Sequence, residues 1–110
     1  MTTSPETRFA SIAETHLRAR GVTSGTGFGG NQGLRFNGKV FAMLVRGELV
    51  VKLPRDRVAD LTSSGVGRPF DAGKGRPMKE WLSVPTKHSR RWSALVDEAR
   101  EFAGPSAGRS

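Results

Sequence analysis

The chain has 110 residues, with 18 lysine and arginine residues against 10 aspartate and glutamate residues and no cysteine. This length is typical of one small domain. The absence of cysteine excludes disulfides, thiolate metal sites and cysteine catalysis. The formal charge of +8, much of it clustered between residues 68 and 91, favours an anionic partner: nucleic acid, a phosphate ligand or an acidic protein surface.

The compartment is inferred from the lack of long apolar segments. No apolar run approaches the roughly 20 residues that a membrane span needs, and the N-terminal residues carry no apolar signal segment. We therefore expect a cytoplasmic protein that makes no membrane contact.

The first predicted element is a helix over residues 5–20. Ser4 is suited to the N-cap position, Pro5 to the first helical turn, and Gly21 to the helix end. The apolar residues of this segment recur at helical spacing, which indicates one buried face. They are Phe9, Ile12, Ala13, His16 and Leu17.

Two hairpin signals follow a glycine-rich connection over residues 23–33. Asn37-Gly38 and Arg46-Gly47 separate three β-rich runs, at about residues 34–37, 39–46 and 48–53. Asn-Gly is suited to a type I′ turn because both central residues of that turn need a positive φ. The pattern predicts a three-stranded antiparallel meander whose middle strand is apolar on both faces.

The remaining elements are predicted from shorter signals. A second helix covers residues 54–64, a short strand 66–71, a turn 72–77 and a last strand 78–84. A third helix covers residues 89–103, and its stripe consists of Trp92, Leu95, Val96, Ala99 and Phe102. The order α-β-β-β-α-β-β-α predicts an α+β fold, an antiparallel sheet with helices mainly on one face. The domain spans residues 5–103, and residues 104–110 form a disordered tail.

Catalytic and cofactor signatures are weak. The glycine cluster leads into a strand with no Gly-Lys-Ser/Thr sequence, so it is not a phosphate-binding loop. His16 lies on an apolar helical stripe and is interpreted as a core or boundary histidine. No spacing places a nucleophile beside a base. We therefore predict a non-enzymatic protein without a cofactor or a metal.

An ordered set of motifs resembles the N-terminal domain of the TfoX/Sxy family of competence-related regulators. The motifs are Phe28-Gly29-Gly30, Gly33 with Gly38-Lys39-Val40-Phe41-Ala42, Glu48-Leu49-Val50-Val51-Lys52, Gly75-Arg76-Pro77-Met78, Trp81, Val84-Pro85 and the closing helix with Trp92. The resemblance implies an antiparallel α+β fold similar to secretion-chaperone-like and YjbR-like domains. It also implies a regulatory role, and it supplies no catalytic residues.

The candidate contact surface combines cations with a tryptophan. Residues 68–91 contain seven lysine and arginine residues against two acidic residues. Strand alternation predicts a semi-exposed second sheet face with Arg35, Val40, Ala42, Leu44, Val50, Lys52, Lys79 and Trp81. The contact candidates are Arg35, Lys52, Lys74, Arg76, Lys79, Trp81, Arg90 and Arg91.

Two functions remain open from the sequence. The first is a binding or regulatory module that engages a protein partner or forms a homodimer, because a mixed apolar and basic face suits such an interface. The alternative is direct binding of nucleic acid by the basic segment at residues 68–91.

Overall fold

The structure is a computed structural model that describes residues 4–19, 21–26, 32–70 and 78–103. It confirms the α+β class. The elements in chain order are α1 (Pro5–His16), β1 (Val22–Thr26), β2 (Gln32–Phe36), β3 (Lys39–Val45), β4 (Glu48–Lys52), α2 (Arg55–Ser63), β5 (Arg68–Phe70), β6 (Met78–Val84), a 3-10 helix (Thr86–Arg91) and α3 (Trp92–Glu101).

The six strands form one open sheet in the order β1-β2-β3-β4-β6-β5, and all neighbours are antiparallel. The two hairpins of the predicted meander are present. Asn37 and Gly38 have φ of 50° and 87°, and Arg46 and Gly47 have φ of 50° and 79°. Positive φ at both central residues is what a type I′ turn requires.

The predicted connection over residues 23–33 contains a strand that the sequence pattern did not reveal. β1 pairs with β2 from Val22 opposite Phe36 to Thr26 opposite Gln32. Its residues, Val-Thr-Ser-Gly-Thr, lack an apolar alternation, so its strand conformation depends on pairing with β2. The observed order is therefore α-β-β-β-β-α-β-β-α, with one strand more than predicted.

The helix ends also differ from the prediction. α1 ends at His16 rather than Arg20, although the expected N-cap is confirmed, because the Ser4 side chain accepts a hydrogen bond from the Thr7 backbone N–H. The segment predicted as one helix from residue 89 begins as a 3-10 helix, and α3 starts at Trp92.

Side chains of all three α-helices pack on one face of the sheet, which we call the helix-covered face. Phe9 of α1, Leu61 of α2 and Trp92 of α3 are at most 3% exposed and belong to one apolar cluster with strand residues. Trp92 is fully buried, which confirms its predicted core position. Two ion-paired hydrogen bonds of 2.9 and 3.0 Å join Arg57 of α2 to Glu98 of α3.

A bulge in β3 changes the predicted assignment of residues to faces. Leu34 pairs with Ala42 but Arg35 pairs with Val40, so Phe41 is an extra residue on β3. Ala42 therefore belongs to the helix-covered cluster together with Leu44. Val40 instead packs against the cluster on the opposite face. The prediction that Ala42 and Leu44 share a semi-exposed face with Val40 is wrong, because the bulge interrupts strict alternation.

Candidate functional site

The opposite side of the sheet, which we call the helix-free face, brings several of the predicted contact residues together. Arg35 of β2 pairs with Val40 of β3, and Lys52 of β4 pairs with Trp81 of β6. Since both rows point away from the helices, Arg35, Lys52 and Trp81 share this face as predicted.

The apolar part of the helix-free face is buried rather than semi-exposed. Met43, Val50 and Trp81 form a second cluster with Val45 and Phe70. Val50 is fully buried and Trp81 is only 7% exposed. The expectation of a wet apolar surface is therefore wrong for Val50 and Trp81, because these side chains pack against one another across neighbouring strands.

Trp81 is held between this cluster and a cation. The Lys52 ammonium nitrogen lies 6.0 Å from the centroid of the Trp81 ring, at the outer limit of a cation–π contact. Lys52 itself is partly exposed. The exposed chemistry at this point of the face is therefore the ammonium group, and the indole ring beneath it is a packing residue.

Arg35 lies across the neighbouring strand. A Cβ atom built on Gly25 of β1 would come within 2.8 Å of the Arg35 Nε atom. The glycine thus leaves room for the Arg35 side chain, which a residue with a Cβ atom at position 25 would displace. This contact extends the positive charge of the helix-free face to the edge of the sheet.

A second polar arrangement on the same face was not anticipated from the sequence. The Glu48 Oε1 atom accepts hydrogen bonds from Arg68 Nη2 at 2.9 Å and from the Ser83 hydroxyl at 2.7 Å. These residues lie 20 and 35 positions from Glu48, so only the pairing of β4 with β6 and β5 brings them together. They line a cleft of about 230 Å³ together with Val45, Arg46, Pro69 and Phe70.

The other predicted contact residues either lie wholly or partly outside the described residues or lie away from the helix-free face. Lys74 and Arg76 lie outside the described residues. Lys79 lies in β6, two positions before Trp81, but its side chain is outside the described part. Arg90 and Arg91 are exposed in the 3-10 helix, next to α3, and so do not belong to the helix-free face.

His16 is the buried polar residue that joins α1 to α3. Its Nε2 atom lies 3.0 Å from Asp97 Oδ1, and its Nδ1 atom lies 3.2 Å from Arg100 Nη1. Arginine can only donate, so Nδ1 accepts and the Nε2–H group donates to the carboxylate. Burial lowers the pKa of His16, and the Arg100 charge adds to this effect while Asp97 opposes it. The neutral ring therefore fits the site.

The described part of the chain offers no further ligand set. No group of three or more histidine, aspartate or glutamate side chains within it is arranged to hold a metal ion. None of its helices is long and apolar enough to cross a membrane.

No family model matches the chain, and no curated protein is significantly similar to it. The resemblance to the TfoX/Sxy family therefore stays a prediction.

Truncation of Trp81 tests whether the second cluster is structural. Trp81→Ala removes a buried ring and should lower the free energy of unfolding by about 3 kcal/mol. Lys52→Ala removes only the cation and should cost about 1 kcal/mol or less. Urea unfolding of both variants measures the difference. Equal losses for the two variants would mean that Trp81 is a surface residue.

The low pKa of His16 makes stability depend on pH. Below the unfolded-state pKa of about 6.5, the unfolded chain binds a proton that the folded chain excludes until its own lower pKa is reached. Stability should therefore fall as the pH is lowered through the unfolded-state pKa of about 6.5. His16→Gln should flatten this dependence of the urea midpoint, and His88→Gln should preserve it. An equally steep dependence in His16→Gln would exclude His16 as its source.

Proposed function

We propose that the chain is a non-catalytic binding module that holds an acidic protein partner against its helix-free face. The observation that carries the proposal is the separation of charge between the two sides of the sheet. The α-helices contain seven of the ten acidic residues against four arginines, Arg8, Arg55, Arg57 and Arg100. The acidic residues are Glu6, Glu14, Asp56, Asp60, Asp97, Glu98 and Glu101.

The helix-free face has the opposite character. Arg35, Lys52 and Arg68 lie on it, and Glu48 is the one acidic side chain among the described residues of this face. The Glu48 carboxylate is already engaged by Arg68 and Ser83. A partner surface that meets this face therefore gains most by presenting carboxylates.

Two observations support a protein partner over the other candidates. A second copy of the chain carries the same charge of +8, so electrostatic repulsion opposes self-association. Nucleic acid suits the cations, but base stacking needs an exposed ring, and Trp81 is buried. Nucleic acid is therefore the second candidate, through phosphate contacts alone.

We propose no catalytic step for this module. Both ring nitrogens of His16 are engaged by residues of α3, which suits a structural role for this side chain. A regulatory or adaptor role agrees with what the resemblance to TfoX N-terminal domains implies.

Paired charge reversals test the proposal. Arg35→Glu with Lys52→Glu alters the helix-free face, and Arg90→Glu with Arg91→Glu alters an exposed pair elsewhere by the same net charge. Wild-type protein and the two double variants are used as baits in nuclease-treated native lysate. The captured partner protein is then titrated against each of the three. The first pair should weaken affinity at least about tenfold, and the second should have a much smaller effect.

The opposite pattern of binding in the same two variants would contradict the proposal. Unchanged capture by the Arg35/Lys52 variant, with loss in the Arg90/Arg91 variant, would move the interface to the 3-10 helix. Direct titration with duplex DNA tests the second candidate partner, nucleic acid. Tight, salt-sensitive DNA binding that the Arg35/Lys52 variant loses, without any protein partner, would favour nucleic acid.

A further inference from the structure

β1 lies at one edge of the sheet. β1 is the first strand of the sheet and pairs only with β2 among the residues that the structure describes. The Asn37 N–H donates to the Gly21 carbonyl at 2.9 Å, which makes Gly21 and Asn37 a hydrogen-bonded pair. Along an antiparallel ladder, hydrogen-bonded pairs alternate with non-hydrogen-bonded pairs, whose main-chain groups point away from the partner strand. Thr23 and Gly25 therefore direct their main-chain groups to β2, while Ser24 and Thr26 direct theirs outward.

This edge lacks the features that usually prevent strand addition. Proteins protect open edges with prolines, charged side chains or bulges. The edge at the other end of the sheet, β5, is three residues long and contains Pro69, which has no N–H group. β1 has five uncharged residues without proline, and Thr23 and Ser24 are exposed. The N–H and C=O groups of Ser24 are thus suited to accept another strand.

The surroundings of β1 define the chemistry of that strand. The Arg35 guanidinium lies against Gly25 on the helix-free face. Side chains of an added strand on that face would lie beside this cation, so carboxylates are favoured there. A second copy of the chain would instead bring another charge of +8.

We propose that the β1 edge accepts an extended acidic segment of the protein partner as a seventh strand of the sheet. Main-chain hydrogen bonds to Ser24 and Thr26 supply the affinity, and Arg35 selects acidic side chains on the helix-free side. The inference rests on the proposed function and specifies how the partner is bound.

The test uses a short synthetic peptide that alternates threonine and glutamate. Wild-type protein should bind this peptide and bind a threonine–lysine peptide of equal length much more weakly. On binding, the amide hydrogen of Ser24 should become protected from exchange. Ser24→Pro removes the outward N–H and should weaken binding about fivefold or more, whereas Ser24→Ala keeps the N–H and should bind as wild type does.

A second probe leaves the protein unchanged, in case Ser24→Pro does not fold. The threonine–glutamate peptide methylated at alternate backbone nitrogens cannot complete the ladder and should lose binding to wild-type protein. Equal binding of the methylated peptide, or no binding of the unmethylated one, would overturn the strand-addition proposal. A wild-type dimer that Ser24→Pro converts to monomer would also overturn it in favour of self-pairing.

The outcomes of these tests distinguish strand addition at β1 from the broader proposal that the helix-free face binds an acidic partner. Peptide or partner binding that depends on Arg35 and Lys52 but survives Ser24→Pro would refute strand addition and leave the helix-free face as the interface. Partner binding that is insensitive to the Arg35/Lys52 charge reversal would refute the proposed function itself.

Discussion

The bulge in β3 decides which side chains of the sheet lie under the helices. By placing Val40 and Ala42 opposite consecutive residues of β2, it turns Ala42 and Leu44 toward the helices and leaves Val40 with Met43 on the other face. Phe41, the extra residue, joins the helix-covered cluster and meets the His16 ring edge-on at 6.4 Å between centroids. One local irregularity thus sets which side chains of β3 belong to the helix-covered core and which to the face that we propose for binding.

The two sides of the sheet differ in charge as well as in their apolar clusters. The helices contain most of the acidic residues, and ion pairs such as Arg57 with Glu98 hold the helical layer together. The helix-free face instead has a small buried cluster beneath partly exposed cations. Since the Trp81 ring is packed into that cluster, recognition there depends on charge and on main-chain groups at the β1 edge more than on an exposed aromatic residue.

Local signals predicted much of this fold because they act over a few residues. The turns at Asn37-Gly38 and Arg46-Gly47, the last strand and the Trp92 stripe are all as expected. β1 and the bulge depend on pairing between strands, and β3 is apolar on both faces, so its residue types do not reveal the interruption. The Glu48 arrangement joins three strands that are distant in sequence. Strand alternation therefore placed Arg35 and Lys52 on one face, and the charge count included Arg68 in the basic segment, but neither revealed the contacts of Glu48 with Arg68 and Ser83.

The bulge places Phe41 and Met43 on opposite faces of the sheet, and nuclear Overhauser contacts from these two side chains test this central claim most directly. The structure pairs Met43 with Val50 and places it in the cluster with Phe70 and Trp81. We expect contacts from the Met43 methyl group to protons of those residues and none to Trp92 or Leu95, while the Phe41 ring contacts His16. Contacts from both side chains to the same cluster would contradict it, because Phe41 and Met43 would then share one face, as they do in a strand without a bulge.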